Sequence, residues 1–163
     1  MEHEAPALFL ALQQSAFAAA IRQSTWLYPL ANVGHIVALV CFAGALAVMD
    51  LRLVGAMSAT APAAVIGRAR AVAIAALAAQ ALTGFMLFAA EAGHVVLNRV
   101  FQVKMALIAA GLVNIAIYEF GAKRAVQALP AGAAMPQRAR VAGFVSMAIW
   151  IAVAACGRLI AYV

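Results

Sequence analysis

PLANVGHIVALVCFAGALAVM, residues 29–49, is apolar almost throughout and long enough to cross a bilayer. At about 1.5 Å of rise per residue, roughly 20 residues cover a hydrocarbon core of ~30 Å. Backbone groups in lipid find no water to bond, so such a run must be a helix. Three further runs match it in length and apolarity, at about 70–90, 100–120 and 141–162. All are continuous rather than alternating, which argues against a membrane β-barrel. The 163 residues are 68% hydrophobic and 10% charged, with a mean hydropathy of +1.04. A soluble domain of this size cannot hide that much apolar surface. The sequence therefore predicts an all-α integral membrane protein. Its expected form is a four-transmembrane-helix bundle, residues 29–163, behind an N-terminal amphipathic or interfacial segment, residues 1–28.

Within that first segment, residues 6–23 read as a helix with Pro6 in its first turn. Gln13, Gln14, Ser15 and Arg22 interrupt its apolar residues, so it is expected at the interface rather than across it. Trp26 and Tyr28 follow as an aromatic belt would. Glu2 and Glu4 open the chain where a secretory signal would carry a basic region, so residues 1–28 are expected in the mature protein. His3 reads as solvated chain end.

The net charge of +6 is not read as a nucleic-acid footprint, because the basic residues fall between the apolar runs. Residues 50–70 carry Arg52, Arg68 and Arg70 against Asp50; residues 119–140 carry Lys123, Arg124, Arg138 and Arg140 against Glu119. By the positive-inside rule these two loops are cytoplasmic. Both termini and the loop 91–99 then face outward, periplasmic in a bacterial inner membrane. Pro62, Pro130, Gly132 and Pro136 are expected to break the helices. The two cysteines, Cys41 and Cys156, lie within spans and make neither a disulfide framework nor a closely spaced metal site.

Ionisable groups inside such spans are costly and are functional-site candidates by default. His35 lies about six residues, roughly 9 Å, inside the first span. Lys104 lies about five residues into the third. The antiparallel order brings both to a similar depth, with Glu91, His94, Arg99 and Arg158 near the same end. The rest of the bundle is expected to hold few ionisable groups. Helical spacing places His35, Leu39, Phe42, Leu46 and Met49 on one line. It does the same for Gln80, Gly84, Leu87 and Glu91 with Thr83 beside them; for Lys104, Ile108, Gly111, Ile115 and Tyr118 with Asn114; and for Trp150, Ala154, Arg158 and Tyr162. All four lines are expected to face the interior.

Neutral imidazole is the common protein ligand for haem iron, and facing helices of a bundle are a standard place to hold a cofactor. His35 is the candidate axial ligand. Lys104 is the candidate second iron ligand or propionate partner, with His94 in reserve. Arg99 and Arg158 could neutralise propionates, and Trp150 lies on a candidate interior line. Structural roles stand beside these. A membrane His can serve as a helix–helix hydrogen-bond donor, Lys104 and Arg158 can snorkel, and Cys and Met can simply pack.

The run from His35 through Ala38-Leu-Val-Cys-Phe-Ala-Gly-Ala-Leu46 to Leu51-Arg-Leu53 resembles the first helix of a known superfamily. Asn98-Arg-Val-Phe-Gln-Val-Lys104-Met-Ala-Leu-Ile resembles its later Lys-bearing helix. The superfamily joins the HemJ-type protoporphyrinogen oxidases, the copper-resistance protein D membrane domain and uncharacterised bacterial membrane families. Trp26-Leu-Tyr-Pro29 and Gly157-Arg-Leu-Ile-Ala-Tyr162 resemble one of the uncharacterised families most. The resemblance implies that His35 and Lys104 form the functional pair associated with haem b. The oxidase pattern has Trp where this chain has Cys41 or Phe42, and Tyr-Leu-Pro-Arg where it has Val48-Met-Asp-Leu-Arg52.

The sequence reading is thus a membrane haem-b protein with a redox or electron-transfer role near the outer face, partnered by the lipid bilayer and by a quinone or a periplasmic redox protein. A protoporphyrinogen-oxidase-like enzyme and a copper-handling membrane protein are the alternatives, although no dense Met/His/Cys set is present for soft Cu(I). Whether the protein is an enzyme stays open at this point, as does its oligomeric state, a homo-oligomer included.

Overall fold

Gly55 and Pro62 decide where the first two spans meet. In the computed structural model, which describes residues 5–160 and 162, helix α3 runs Leu27–Val54 and α4 runs Pro62–Ala90. Gly55 adopts φ +116° and its N–H bonds the Arg52 carbonyl, while Ala56 N–H bonds that of Leu51. This is the left-handed helix stop that glycine tolerates best. Pro62 occupies the first turn of α4, where its missing N–H leaves no bond unmade. The expected loop 50–70 is therefore far shorter than the charges suggested. Asp50, Arg52, Arg68 and Arg70 lie on helices, because charge alone does not break a helix while Gly and Pro do.

The chain begins with α1 (Ala7–Gln14) and α2 (Ala16–Gln23), two short helices where one was expected. Ser15 separates them. Its backbone is extended, and its hydroxyl accepts from Ala18 N–H at 3.2 Å, capping α2. After α4 come α5 (Ala92–Val95), α6 (Arg99–Gly121), α7 (Lys123–Gln127) and α8 (Gln137–Leu159). The Asn98 side chain caps α6 by accepting from Phe101 N–H at 3.0 Å. Pro136 precedes α8. Helices α3, α4, α6 and α8 are each long and apolar enough to cross a membrane. His3 lies outside the described residues.

The four spans run up and down, so one end of the bundle carries α5 and the other α7. Helices α3 and α8 form its centre and α4 and α6 its flanks, in the order α4–α3–α8–α6. Small residues line the contacts: Ala38 and Ala45 of α3, Ala73 and Ala76 of α4, Ala139, Ala142 and Gly143 of α8 are all buried. In lipid, close packing of such faces substitutes for the hydrophobic effect. Large apolar side chains point outward instead, among them Val40, Ile117, Phe120 and Ile151.

Helices α4 and α6 do not pack backbone to backbone along their length. Their seam is fastened at two places. Near the α5 end, Phe88 and Phe101 stack with centroids 5.3 Å apart. Near the α7 end, Arg70 pairs with Glu119 at 2.7 Å. Helices α1 and α2 dock across the α5 end through Phe9 against Phe88 and Phe17 against Phe85. Arg22 donates to the carbonyls of Gln13 (2.7 Å) and Ala90 (2.9 Å), and the Gln13 side-chain oxygen accepts from Gly93 N–H at 2.6 Å.

Candidate functional site

His35 occupies the inner side of α3, two turns from its start, and is half-buried. Its Nδ1 lies 2.9 Å from Thr83 Oγ1 on α4. The Thr83 hydroxyl has one proton, and it points to the Ala79 carbonyl at 2.7 Å, one turn back along the same helix. Its oxygen therefore accepts from Nδ1–H. That leaves the Nε2 lone pair of a neutral ring free, the arrangement a metal-ligating histidine needs. Gln80 adds a bond from its side-chain amide to the His35 carbonyl at 3.0 Å. Gly84 makes room for the ring, since a Cβ there would sit 3.1 Å from His35 Cε1.

Lys104 reaches the same region from α6 and is also half-buried. It lies within electrostatic reach of His35 and of Cys156. Its partner in shape is Gly157 of α8, where a Cβ would stand 3.5 Å from Nζ. Beyond this pair, Trp150 packs on Gly111 and meets Phe42 edge-on, with centroids 4.7 Å apart. The indole Nε1 is buried without a hydrogen-bond partner. An imidazole with a free ring nitrogen and a cation thus lie within electrostatic reach of each other, and an unused N–H donor lies about two turns further along the bundle, beside Phe42 and Gly111.

The interior lines expected on α3 and α6 are the ones that turn inward. His35, Leu39, Phe42, Leu46 and Met49 are all buried or half-buried, as are Lys104, Ile108, Gly111, Asn114, Ile115 and Tyr118. On α4, Gln80, Thr83, Gly84 and Leu87 follow, but Glu91 at the helix end is exposed. On α8 the expected line fails beyond Trp150. Ala154, Arg158 and Tyr162 are exposed, and the buried face is Ala139, Ala142, Gly143, Ser146 and Val153. Arg158, in the last turn, is free to leave the interior; it hydrogen-bonds the Tyr162 hydroxyl and lies over that ring. His94 and Arg99 are exposed at the α5 end and are not drawn toward His35.

The expectation that the rest of the bundle is poor in ionisable groups does not hold. Toward the α7 end, Asp50 is buried, with Ser146 of α8, also buried, beside its carboxylate. Arg52 is fully buried, donates to the Thr60 carbonyl at 3.1 Å and leaves Nε without a partner. Two residues apart on a helix, their side chains diverge, and no ion pair joins them. Glu119 takes Arg70 from α4 and Lys123 from α7 at 2.6 Å. A small cavity of about 20 Å³ lies beside Arg70, Tyr118 and Lys123. Ser146, a buried lone hydroxyl within an apolar run, is the residue that could have signalled a buried polar partner at this end.

Among the described residues, no group of three or more His, Cys, Asp or Glu side chains comes together as a metal cage. Cys41 faces outward and Cys156 is half-buried.

A family of unknown function (DUF6644) matches residues 16–163. The chain belongs to this family. No protein of curated function and no solved structure matches it significantly. The matched region takes in α2, all four spans and every residue of the His35–Lys104 region.

Proposed function

We propose that this membrane protein binds haem b through His35 and has a redox or electron-transfer role. The observation that carries this reading is the hydrogen bond that holds His35 Nδ1 on Thr83 and leaves Nε2 free, with Lys104 within electrostatic reach of the ring. The resemblance of the His-bearing and Lys-bearing helices to the HemJ-type superfamily supports the same two residues. His35 would ligate the iron and Lys104 would either take the second axial position or neutralise a propionate. Bound there, haem supplies one-electron chemistry. The protein's own contribution is to fix the ring tautomer, to place a cation beside it and to keep the region apolar.

The positive-inside rule gives the orientation we propose. Arg52, Arg68, Arg70, Lys123, Arg124, Arg138 and Arg140 collect at the α7 end, which we place in the cytoplasm of a bacterium. The α5 end, with His35, is then periplasmic, within reach of a quinone or a periplasmic redox protein.

The test is the absorbance spectrum of the purified protein, oxidised and reduced. A Soret band and reduced α/β bands are expected, and His35→Ala should abolish or greatly alter them. An unchanged spectrum in His35→Ala removes His35 from the reading. Bound copper without haem overturns it in favour of metal handling. Complementation of a strain lacking protoporphyrinogen oxidase then separates a porphyrinogen-oxidising enzyme from an electron carrier.

A further inference from the structure

On the outward side of α3 and α4, toward the α7 end, a broad, open groove of about 450 Å³ runs over the packed seam between the two helices, with buried Ala45 and Ala69 at its floor. Gly44 and Val48 of α3 and Val65 and Val72 of α4 form its apolar walls, with Thr60 and Arg68 as its polar members. A Cβ added at Gly44 meets nothing within 4 Å, so the groove is open where that glycine lies. In a bilayer a lateral groove of this kind faces hydrocarbon, and a lipid chain is what fills it.

The charge along it identifies the headgroup. Arg68 is exposed and has no hydrogen bond or ion pair with any described residue. It stands about 9 Å along α4 from Pro62, a depth at which an arginine extends toward the headgroup layer. Behind Thr60, Arg52 adds a second guanidinium that is fully buried, lacks a carboxylate partner and is held by the Thr60 carbonyl. Of the acids toward this end, Glu119 is already committed to Arg70 and Lys123, and Asp50, buried two residues before Arg52, makes no ion pair with either Arg52 or Arg68. Uncompensated positive charge beside a hydrophobic channel fits a phosphodiester attached to an acyl chain, with Arg68 donating to the phosphate oxygens.

We infer that this groove seats one anionic phospholipid, its acyl chain against Gly44 and Val72 and its phosphate on Arg68.

Native mass spectrometry of the purified full-length protein, with phosphatidylglycerol or phosphatidylcholine added to the detergent, tests this. One phosphatidylglycerol should be retained in preference to phosphatidylcholine by about fivefold, the ratio that one arginine near an anionic headgroup supplies. Arg68→Gln should remove the preference while phosphatidylcholine retention stays as it was. Gly44→Phe projects into the groove and should reduce retention of both lipids with helix content unchanged by circular dichroism. Equal retention of the two lipids by the natural protein overturns the proposal, as does a preference that survives Arg68→Gln. Loss of a dimer in Gly44→Phe, with lipid retention intact, overturns it in favour of a second copy of the chain in the groove.

Discussion

Thr83 does for His35 what a second residue commonly does for a metal-bound histidine, and its single hydroxyl makes the effect separable. Thr83→Val keeps the shape but removes the acceptor for Nδ1–H. If haem sits on Nε2, its affinity should fall by roughly 10–100-fold, and Thr83→Ser should restore it; haem titration followed at the Soret band measures both. Gly111 is a packing case. A Cβ there would come 2.9 Å from Trp150 Cζ2, so Gly111→Ala should cost about 1–3 kcal/mol in thermal or denaturant unfolding in detergent. Tyr118 is the opposite case, because its buried hydroxyl has no partner. Tyr118→Phe should leave the unfolding midpoint unchanged or raise it. His35 and Lys104 were legible from sequence because an ionisable group in an apolar run stands out. Asp50 and Arg52 were not, because at the edge of a run the same charges read as the start of a loop.

At the scale of elements, the four spans could be read from hydropathy, but their ends could not. Hydropathy loses its signal where a helix continues into charged sequence, and α3 and α4 both do so; Gly55 and Pro62 carried the information. Helical spacing found the inward faces of α3 and α6. It failed for α8 because Arg158 was assumed to turn inward with Trp150, whereas a cation in a last turn can swing to the interface. The break at Ser15 was hidden for a different reason: a serine inside an amphipathic pattern reads equally as a polar-face residue or as a cap. Helices α1 and α2 are held to the α5 end largely by Gln13, Arg22 and two phenylalanine contacts. The double variant Gln13→Ala, Arg22→Ala should therefore speed amide hydrogen exchange across 7–23 while protection within 30–50 stays constant. Equal protection of both segments in the variant and the natural protein would show that the aromatic contacts suffice.

For the molecule as a whole, the proposed orientation has a direct check. With Cys41 and Cys156 replaced by Ala, a cysteine at Ser58, in the connection between α3 and α4, should react with a membrane-impermeant maleimide in inverted vesicles and not in intact spheroplasts. Labelling only in spheroplasts would reverse the topology. The flank between α4 and α6 carries a consequence of its own. Its two clasps obey different physics: stacked rings at Phe88 and Phe101, and opposite charges at Arg70 and Glu119. Arg70 is substantially exposed, so dissolved ions weaken that clasp while leaving the aromatic one intact. As ionic strength rises, this flank is expected to loosen first at its charged clasp while the stacked rings hold the other.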